Sequence, residues 1–346
     1  MELKTGIVRD ERYLDHKTGH IHPEHPNRLR AVYKMLDKDF TDGLITVKPE
    51  LAPLEFLEFV HTPIYIEKVL KTAEYDFTSL APEIPASAKT WLAACLAPGG
   101  CIAGLESLLN GACDVCFALV RPPGHHALPD RAAGFCIFNN IGITVRYAMK
   151  QRGFRRILII DWDIHHGNGL QELFYSENEV LYFSSHGDNL YPYTGNWDET
   201  GQGDGEGYTI NIPVPREMEN REFLQLYQTI LRPAVTAFRP ELILICAGFD
   251  GHRMDPIGRF GLTEPVFGWL TDLILELKKT VANPPVLFSL EGGYHLKSLA
   301  LCVREVLRTL VSKNRHTPLC GDITPRVANL VAKARGIHAQ YGIWTD

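Results

Sequence analysis

Six short, nearly continuous apolar runs set the tightest limit on how this chain can fold: VCFALV (115–120), RILIIDWDIH (156–165), VLYFSS (180–185), YTINIPV (208–214), ELILICAGFD (241–250) and PVLFSLEGGY (285–294). They are rich in β-branched residues and do not alternate apolar with polar, the pattern of strands covered on both faces. Helical patterns lie between them, as in NNIGITVRYAMKQRG, REFLQLYQTILRPAVTAFRP and EPVFGWLTDLILELKKTV. Strand–helix–strand repetition predicts a parallel sheet with helices on both sides. The N-terminal part is richer in helix, with NRLRAVYKMLDKDF, PIYIEKVLKTAEYD and ASAKTWLAACLAPGGCIAGLESLL. No repeat, low-complexity linker or charge block divides the 346 residues, so one domain over 1–346 is expected. Within it, residues 311–346 form a C-terminal extension whose RVANLVAKARG reads as a helix, either a cap on the domain edge or an oligomer contact.

Composition excludes several classes. With 45% hydrophobic and 22% charged residues, the chain is not disordered, collagen-like or coiled-coil. A net charge of −6 argues against nucleic-acid binding and is compatible with cationic substrates. No run approaches the ~18 uncharged residues of a membrane span. The N-terminus MELKTGIVRDERYLDH lacks a signal-peptide core, so a cytoplasmic protein without membrane contact is expected. Eight cysteines are too few for a disulfide scaffold in a chain this long. Cys113 and Cys116 form a lone CxxC without the second pair that a zinc ribbon needs, so they read as reduced core thiols.

In a parallel α/β sheet, sites form where strands end at their carboxyl sides, and there the polar chemistry of this chain collects. VCFALV is followed by RPPGHHA with His125 and His126; RILII runs into DWDIHHGNG with Asp161, Asp163, His165, His166 and Asn168. Asp250 ends another run and Tyr294 another. If the strand continued through D-W-D-I-H, period-2 alternation would point Asp161, Asp163 and His165 the same way. Asp163, His165 and Asp250 then make one nitrogen and two oxygen ligands with a position left open, the arrangement of a catalytic divalent metal. Zinc fits such a set, and so do Fe(II) and Co(II). Neighbouring imidazoles at His125 and His126 suit acid/base work near pH 7.

RPPGHHA, GFCIFNN, DWDIHHGNG, AGFDGHRMDP and EGGYH, in this order, resemble the zinc-dependent histone deacetylase family, whose superfamily includes acetylpolyamine amidohydrolases and arginases. HPEHPNRL is similar to the family's first loop, so the likeness runs from about residue 6 to 310, with HHGNG closer to class II and bacterial members. The resemblance implies the arginase/deacetylase fold, a three-layer α/β architecture with a mostly parallel sheet of about eight strands. It implies hydrolysis of acyl-lysine or related acyl-amines with one zinc per chain on Asp163, His165 and Asp250. By matched position, His126 is the general base and His125 its companion, with Asn168 and Asp161 as their respective partners. Tyr294 donates to the scissile carbonyl; Phe135 and Tyr191 line the acyl-lysine tunnel, with the carbonyl of Gly134 facing it and Glu83 at its rim. A structural potassium ion is implied beside Asp161, Asp163, His165, Ser184 and Ser185.

Three rivals remain. A two-manganese arginase-like site needs a further Asp where Gly167 stands and a second DxD where the chain reads Asp250-Gly251-His252. An acetylpolyamine amidohydrolase would carry an acidic gate where Ile257 stands, which is apolar and cannot pair with an ammonium. A non-catalytic metal-binding module would not need the intact His125, His126 and Tyr294. The sequence leaves the physiological substrate and a homo-oligomeric state open.

Overall fold

The computed structural model describes residues 3–19, 21–312 and 321–342. The parts of the C-terminal extension at 313–320 and 343–346 lie outside the described residues. Eight strands make one sheet: β1 (Thr5–Val8), β2 (Leu44–Val47), β5 (Val115–Ala118), β6 (Ile157–Asp161), β7 (Val180–Gly187), β8 (Thr209–Val214), β9 (Leu242–Ala247) and β10 (Val286–Leu290). A separate antiparallel pair is formed by β3 (Phe77–Ala81) and β4 (Ile84–Ser87). The order across the large sheet is β2-β1-β5-β10-β9-β6-β7-β8, and every pairing in it is parallel. Strands β5, β6, β9 and β10 are buried along their whole length, as their unbroken apolar runs require.

Helices cover both faces. Glu264–Thr280 packs against Leu296–Val311 and Asn220–Phe238, and Asn27–Asp39 joins them through Leu296–Val311. Thr90–Leu109 packs against Asn140–Arg152, β5 and β1. The expected three-layer α/β fold is therefore present. The helix ends follow local chemistry. The Asn139 side chain accepts the N–H of Gly142 to cap Asn140–Arg152, and Gly153, at φ +75°, ends it.

Three expectations need correction. The six strands read from the sequence are all present, but β1 and β2 were not foreseen: each has four residues, too short for a periodicity to register. The β3–β4 pair likewise lies in a region read as helix and loop. And one helix, Thr90–Leu109, is long and apolar enough by length and composition to cross a membrane. In this fold 72% of its most apolar window is buried, so it serves as a core helix.

The C-terminal helix Pro325–His338 lies against Asn220–Phe238. Gln225 Nε2 donates to the carbonyls of Gly321 and Asp322, Arg326 pairs with Glu222 at 2.8 Å, and Val327, Val331 and Ala334 are buried. The helix thus packs onto the edge of the domain.

Candidate active site

Four neighbouring strands, β5, β10, β9 and β6, end side by side, and their loops deliver the polar residues singled out above. The strand-alternation argument for D-W-D-I-H does not hold, because β6 stops at Asp161 and the chain turns from Trp162 onward. Two Asx turns shape it instead. Asp161 Oδ1 accepts the N–H of Asp163 at 3.1 Å, and Asp163 Oδ1 accepts the N–H of His165 at 2.8 Å. Asp161 thereby turns away, its Oδ2 meeting His125 Nδ1 at 3.1 Å and accepting the Tyr182 hydroxyl at 3.0 Å. Asp163 and His165 are carried toward Asp250.

His165 Nδ1 lies 3.2 Å from Asp163 Oδ1 and 2.9 Å from Asp250 Oδ2, and the candidate ligand atoms of the three residues lie within 4.8 Å of one another. All three are buried. The backbone N–H groups of Gly292 and Ile164 hold the outer oxygens, Asp163 Oδ2 at 2.8 Å and Asp250 Oδ1 at 3.2 Å. Glycine is required at 292: a Cβ there would stand 2.2 Å from Asp250 Oδ2 and 2.5 Å from Asp163 Oδ2. At Gly293, φ +115° turns the chain into Tyr294. Burial, reinforced by the Asp163 charge, pushes the Asp250 carboxyl up to about 6. Burial works against a charged His165 ring, but Asp250 and Asp163 outweigh it and push the imidazole up to about 10. Two carboxylates and an imidazole nitrogen, buried and converging on one point, match the donor set of a three-ligand divalent site. Potential ligands also cluster at His125, Cys136 and Glu291. There, however, burial holds the Cys136 thiol protonated, and Glu291 Oε2 already accepts from Gly124 and His125 N–H groups.

His125 and His126 stack with ring centroids 3.9 Å apart, yet their environments separate them. Burial opposes charge on His125, but Asp161 and Asp163 lift it to about 10. Burial, with His125 and His165 nearby, holds His126 well below the usual imidazole range. His126 Nδ1 is 2.9 Å from Asn168 Oδ1. The carbonyl oxygen can only accept, so Nδ1 carries the proton and Nε2 keeps its lone pair. Neighbouring groups with such separated pKa values are a signature of acid/base sites.

A cleft of about 170 Å³ leads to this point, far smaller than a drug-sized pocket and suited to one unbranched chain. Its inner end is made by His126, His165 and Tyr294, and its walls by Gly134, Phe135 and Tyr191. Ile257 and the exposed Glu83 complete the lining. Gly134 and Phe135 both have left-handed backbones, φ +52° and +65°, which set the Phe135 ring edge-on to Tyr294 at 5.5 Å. Tyr191 meets the His126 ring edge-on at 5.2 Å. Ser184 and Ser185 stand outside the cleft; their hydroxyls bond His186 Nδ1 at 2.9 Å and the Tyr227 hydroxyl at 2.7 Å.

Several supporting residues went unread in the sequence although they sit inside the quoted motifs. Glu24 and Arg28, in HPEHPNRL, form a buried triad with Arg121: Arg121 Nε is 2.5 Å and Arg28 Nη1 3.0 Å from Glu24 Oε1. Arg28 also donates to the Gly293 carbonyl at 2.6 Å and places its guanidinium 4.9 Å from the Tyr294 ring centroid. Asp255, in RMDP, accepts the N–H groups of Tyr294 (2.6 Å) and His295 (3.1 Å) on one oxygen and that of Ile257 (2.9 Å) on the other. A charged residue inside a motif, not itself in a catalytic role, was the available signal.

The sequence profile of the histone deacetylase domain matches residues 22–310. A probable deacetylase of Archaeoglobus fulgidus is 37% identical over 299 residues, covering 85% of this chain and 82% of that protein. Histone deacetylase 15 of Arabidopsis thaliana is 34% identical over 350 residues, covering 98% of this chain but 62% of its own length. The crystal structure of the HDA15 HD domain superposes with a TM-score of 0.90 at 32% identity, covering 98% of this chain and 96% of the other. A profile match across most of the chain, a shared fold and relatives above 30% identity lead to one conclusion: this chain belongs to the histone deacetylase family of hydrolases.

Proposed function

We propose that this chain removes acyl groups from lysine side chains by hydrolysis of the amide, with one divalent ion, zinc first among those its ligands accept, held by Asp163, His165 and Asp250. The observation that carries the reading is the convergence of these ligand atoms within 4.8 Å at the inner end of a narrow cleft shared with His126 and Tyr294. When bound, the ion supplies Lewis acidity for the carbonyl and for the attacking water. Neutral His126 accepts the water proton at Nε2 and, as the imidazolium so formed, gives it to the leaving amine nitrogen as the C–N bond breaks. His125, charged and fixed by Asp161, presents a positive ring beside the developing negative charge and stays protonated through the cycle. Burial raises the Tyr294 hydroxyl well above the usual phenol range, so it keeps its proton and donates to the carbonyl oxygen. Phe135 and Tyr191 exclude water from the chain of the substrate. The same reading keeps a structural potassium ion beside Asp161, Asp163, His165, Ser184 and Ser185, where Asp161 and Ser184 are opposed on adjacent strands.

An acetylpolyamine is the second reading, and one observation favours it. Ile257 offers no partner to a second ammonium, but Glu83 lines the same cleft and puts a carboxylate at its mouth. Comparing kcat/KM across acetyl-lysine peptides, longer acyl-lysines and acetylpolyamines separates the two. Acyl-lysine peptides are expected to be turned over fastest. Bound ion with no turnover of any acyl-amine would leave a binding module.

Three further outcomes follow. Tyr294→Phe should keep its metal and lose about 100- to 1,000-fold in kcat, the usual cost of one oxyanion donor (~2.7–4 kcal/mol). A variant with unchanged kcat would remove Tyr294 from the mechanism. Asn168→Asp places a carboxylate on His126 Nδ1 and raises its pKa. Activity requires the neutral ring and is lost as pH falls through that pKa, so the acidic limb of the kcat/KM profile should move to higher pH. An unmoved limb would exclude His126 as the base. Ion uptake must also displace the proton on His165, whose pKa of about 10 keeps it charged at neutral pH. Affinity, read by chelator competition, should therefore rise with pH from 6 to 8.

A further inference from the structure

At the opposite end of the sheet, where β1, β5 and β10 begin, a cavity of about 640 Å³ opens beside the CxxC pair. Cys113 forms part of its wall, together with Asp114, Lys278, Lys279, Asn283 and Pro285. Cys116, three residues further on and inside β5, is fully buried behind it. Both sulfurs lie over Gly6 of β1: a Cβ at Gly6 would stand 2.9 Å from Cys113 Sγ and 3.2 Å from Cys116 Sγ. Only glycine leaves room for the two to share this place. The Ser107 hydroxyl is 3.0 Å from Cys113 Sγ. Hydrogen bonds from Cys116, Ser107 and the Gly6 backbone outweigh burial and bring the Cys113 thiol down to about 7. Cys116 is shifted the opposite way, well above the ordinary thiol range, chiefly by its bond to Cys113 and by burial. The other described cysteines with a resolved shift, Cys95, Cys101, Cys136, Cys246 and Cys302, are all pushed up by burial. Cys113 and Cys116 are both free, buried thiols, as the sequence reading expects, with Cys113 2% exposed; in addition, Cys113 lines the cavity and shares its place over Gly6 with Cys116.

We propose that Cys113 and Cys116 form a reversible thiol–disulfide site that reacts with small anionic disulfides of the glutathione type entering this cavity. Its size is that of a small-molecule pocket; the exposed Lys279 offers a cationic contact for such an oxidant, while Lys278 is buried and the Asp114 carboxylate in the same lining accepts the Lys4 N–H. The thiolate is the attacking species, and exchange runs through a mixed disulfide. Cys113 sulfur attacks glutathione disulfide, forming a Cys113–glutathione bond and releasing one glutathione thiolate. Cys116 then loses its proton and attacks Cys113 sulfur, which closes the protein disulfide and expels the second glutathione. Two protein thiols are oxidised by two electrons, and one glutathione disulfide is reduced to two glutathiones. The site is independent of the active-site reading, since it lies at the other ends of the strands.

The full chain, equilibrated at stepped ratios of oxidised to reduced glutathione, quenched, alkylated and peptide-mapped by mass, tests this. The Cys113–Cys116 disulfide is expected at a lower ratio than modification of any other described cysteine, and dithiothreitol should reverse it. Cys116→Ser should trap glutathione on Cys113, whereas Cys113→Ser should take up glutathione at neither position. The Cys116→Ser trap decides the case even where Cys113→Ser fails to fold. Free Cys113 in wild-type chain that circular dichroism shows to be folded at the most oxidising ratio would overturn the proposal. So would a mixed disulfide that persists on wild-type Cys113 without passing to Cys116.

Discussion

Asp250→Ala should give a folded chain that no longer retains a divalent ion and hydrolyses acyl-lysine no faster than buffer. Asp250 supplies one of three candidate ligands, and its Oδ2 lies 2.9 Å from His165 Nδ1. Without it, Asp163 and His165 offer two donors, too few to hold an ion while leaving a position for substrate. The fold should survive, because Asp163 remains as a partner of His165 at 3.2 Å, and loss of the Asp250–His165 pair is offset in part by the end of the repulsion between the two carboxylates. Elemental analysis after dialysis, with circular dichroism as the control for folding, reads the result. Wild-type metal content in the variant would refute the ligand assignment. The contrast with Tyr294→Phe separates metal holding from oxyanion donation at two residues of one cleft.

Glu24→Gln should cost about 3–5 kcal/mol of stability at pH 7, the usual result of removing one partner from a buried ion pair. Glu24 is 0% exposed and is the anion shared by Arg28 and Arg121, both also 0% exposed. The neighbouring His16 is not a third cation there, since burial and Arg121 hold that imidazole down to about 3. The variant would bury two guanidinium groups against a neutral amide. The pH dependence has a definite sign. Burial pushes the Glu24 carboxyl up, but Arg121 and Arg28 outweigh it and leave it far below its ordinary value. Its contribution is complete above the unfolded carboxylate pKa of about 4.3 and is lost as pH falls toward the folded one. Denaturant midpoints should therefore separate wild type from variant fully at pH 7, and by a shrinking margin in strong acid. A difference below about 1 kcal/mol at pH 7 would show that the triad is not a stabilising centre. Because Arg28 also bonds the Gly293 carbonyl and covers the Tyr294 ring, the surviving folded fraction should show a reduced kcat.

Much of this molecule was legible in the chain because its signals are local. An apolar run between two helical patterns announces a buried parallel strand from its own residues, and six of the eight strands of the large sheet were found that way. The DxDxH spacing worked for a different reason from the one it suggested. Asp161 and Asp163 each accept the backbone N–H two residues on, so the spacing encodes two Asx turns rather than a pleat. The outcome, Asp163 and His165 presented together, was legible; the conformation was not. Strands β1 and β2 escaped because four residues carry no period. The Glu24–Arg121 pair escaped because its partners are 97 positions apart, and a charged residue in a loop motif looks solvent-exposed until something covers it.

By itself, then, the sequence determined which residues could do chemistry and on what kind of scaffold, since side-chain types and hydrophobic periods are properties of short segments. Only the tertiary structure decided that β10 enters between β5 and β9, out of chain order, so that loops from 125 to 294 end at one point. Strand pairing of that kind is set by burial of whole faces across the domain, and no single segment contains the information.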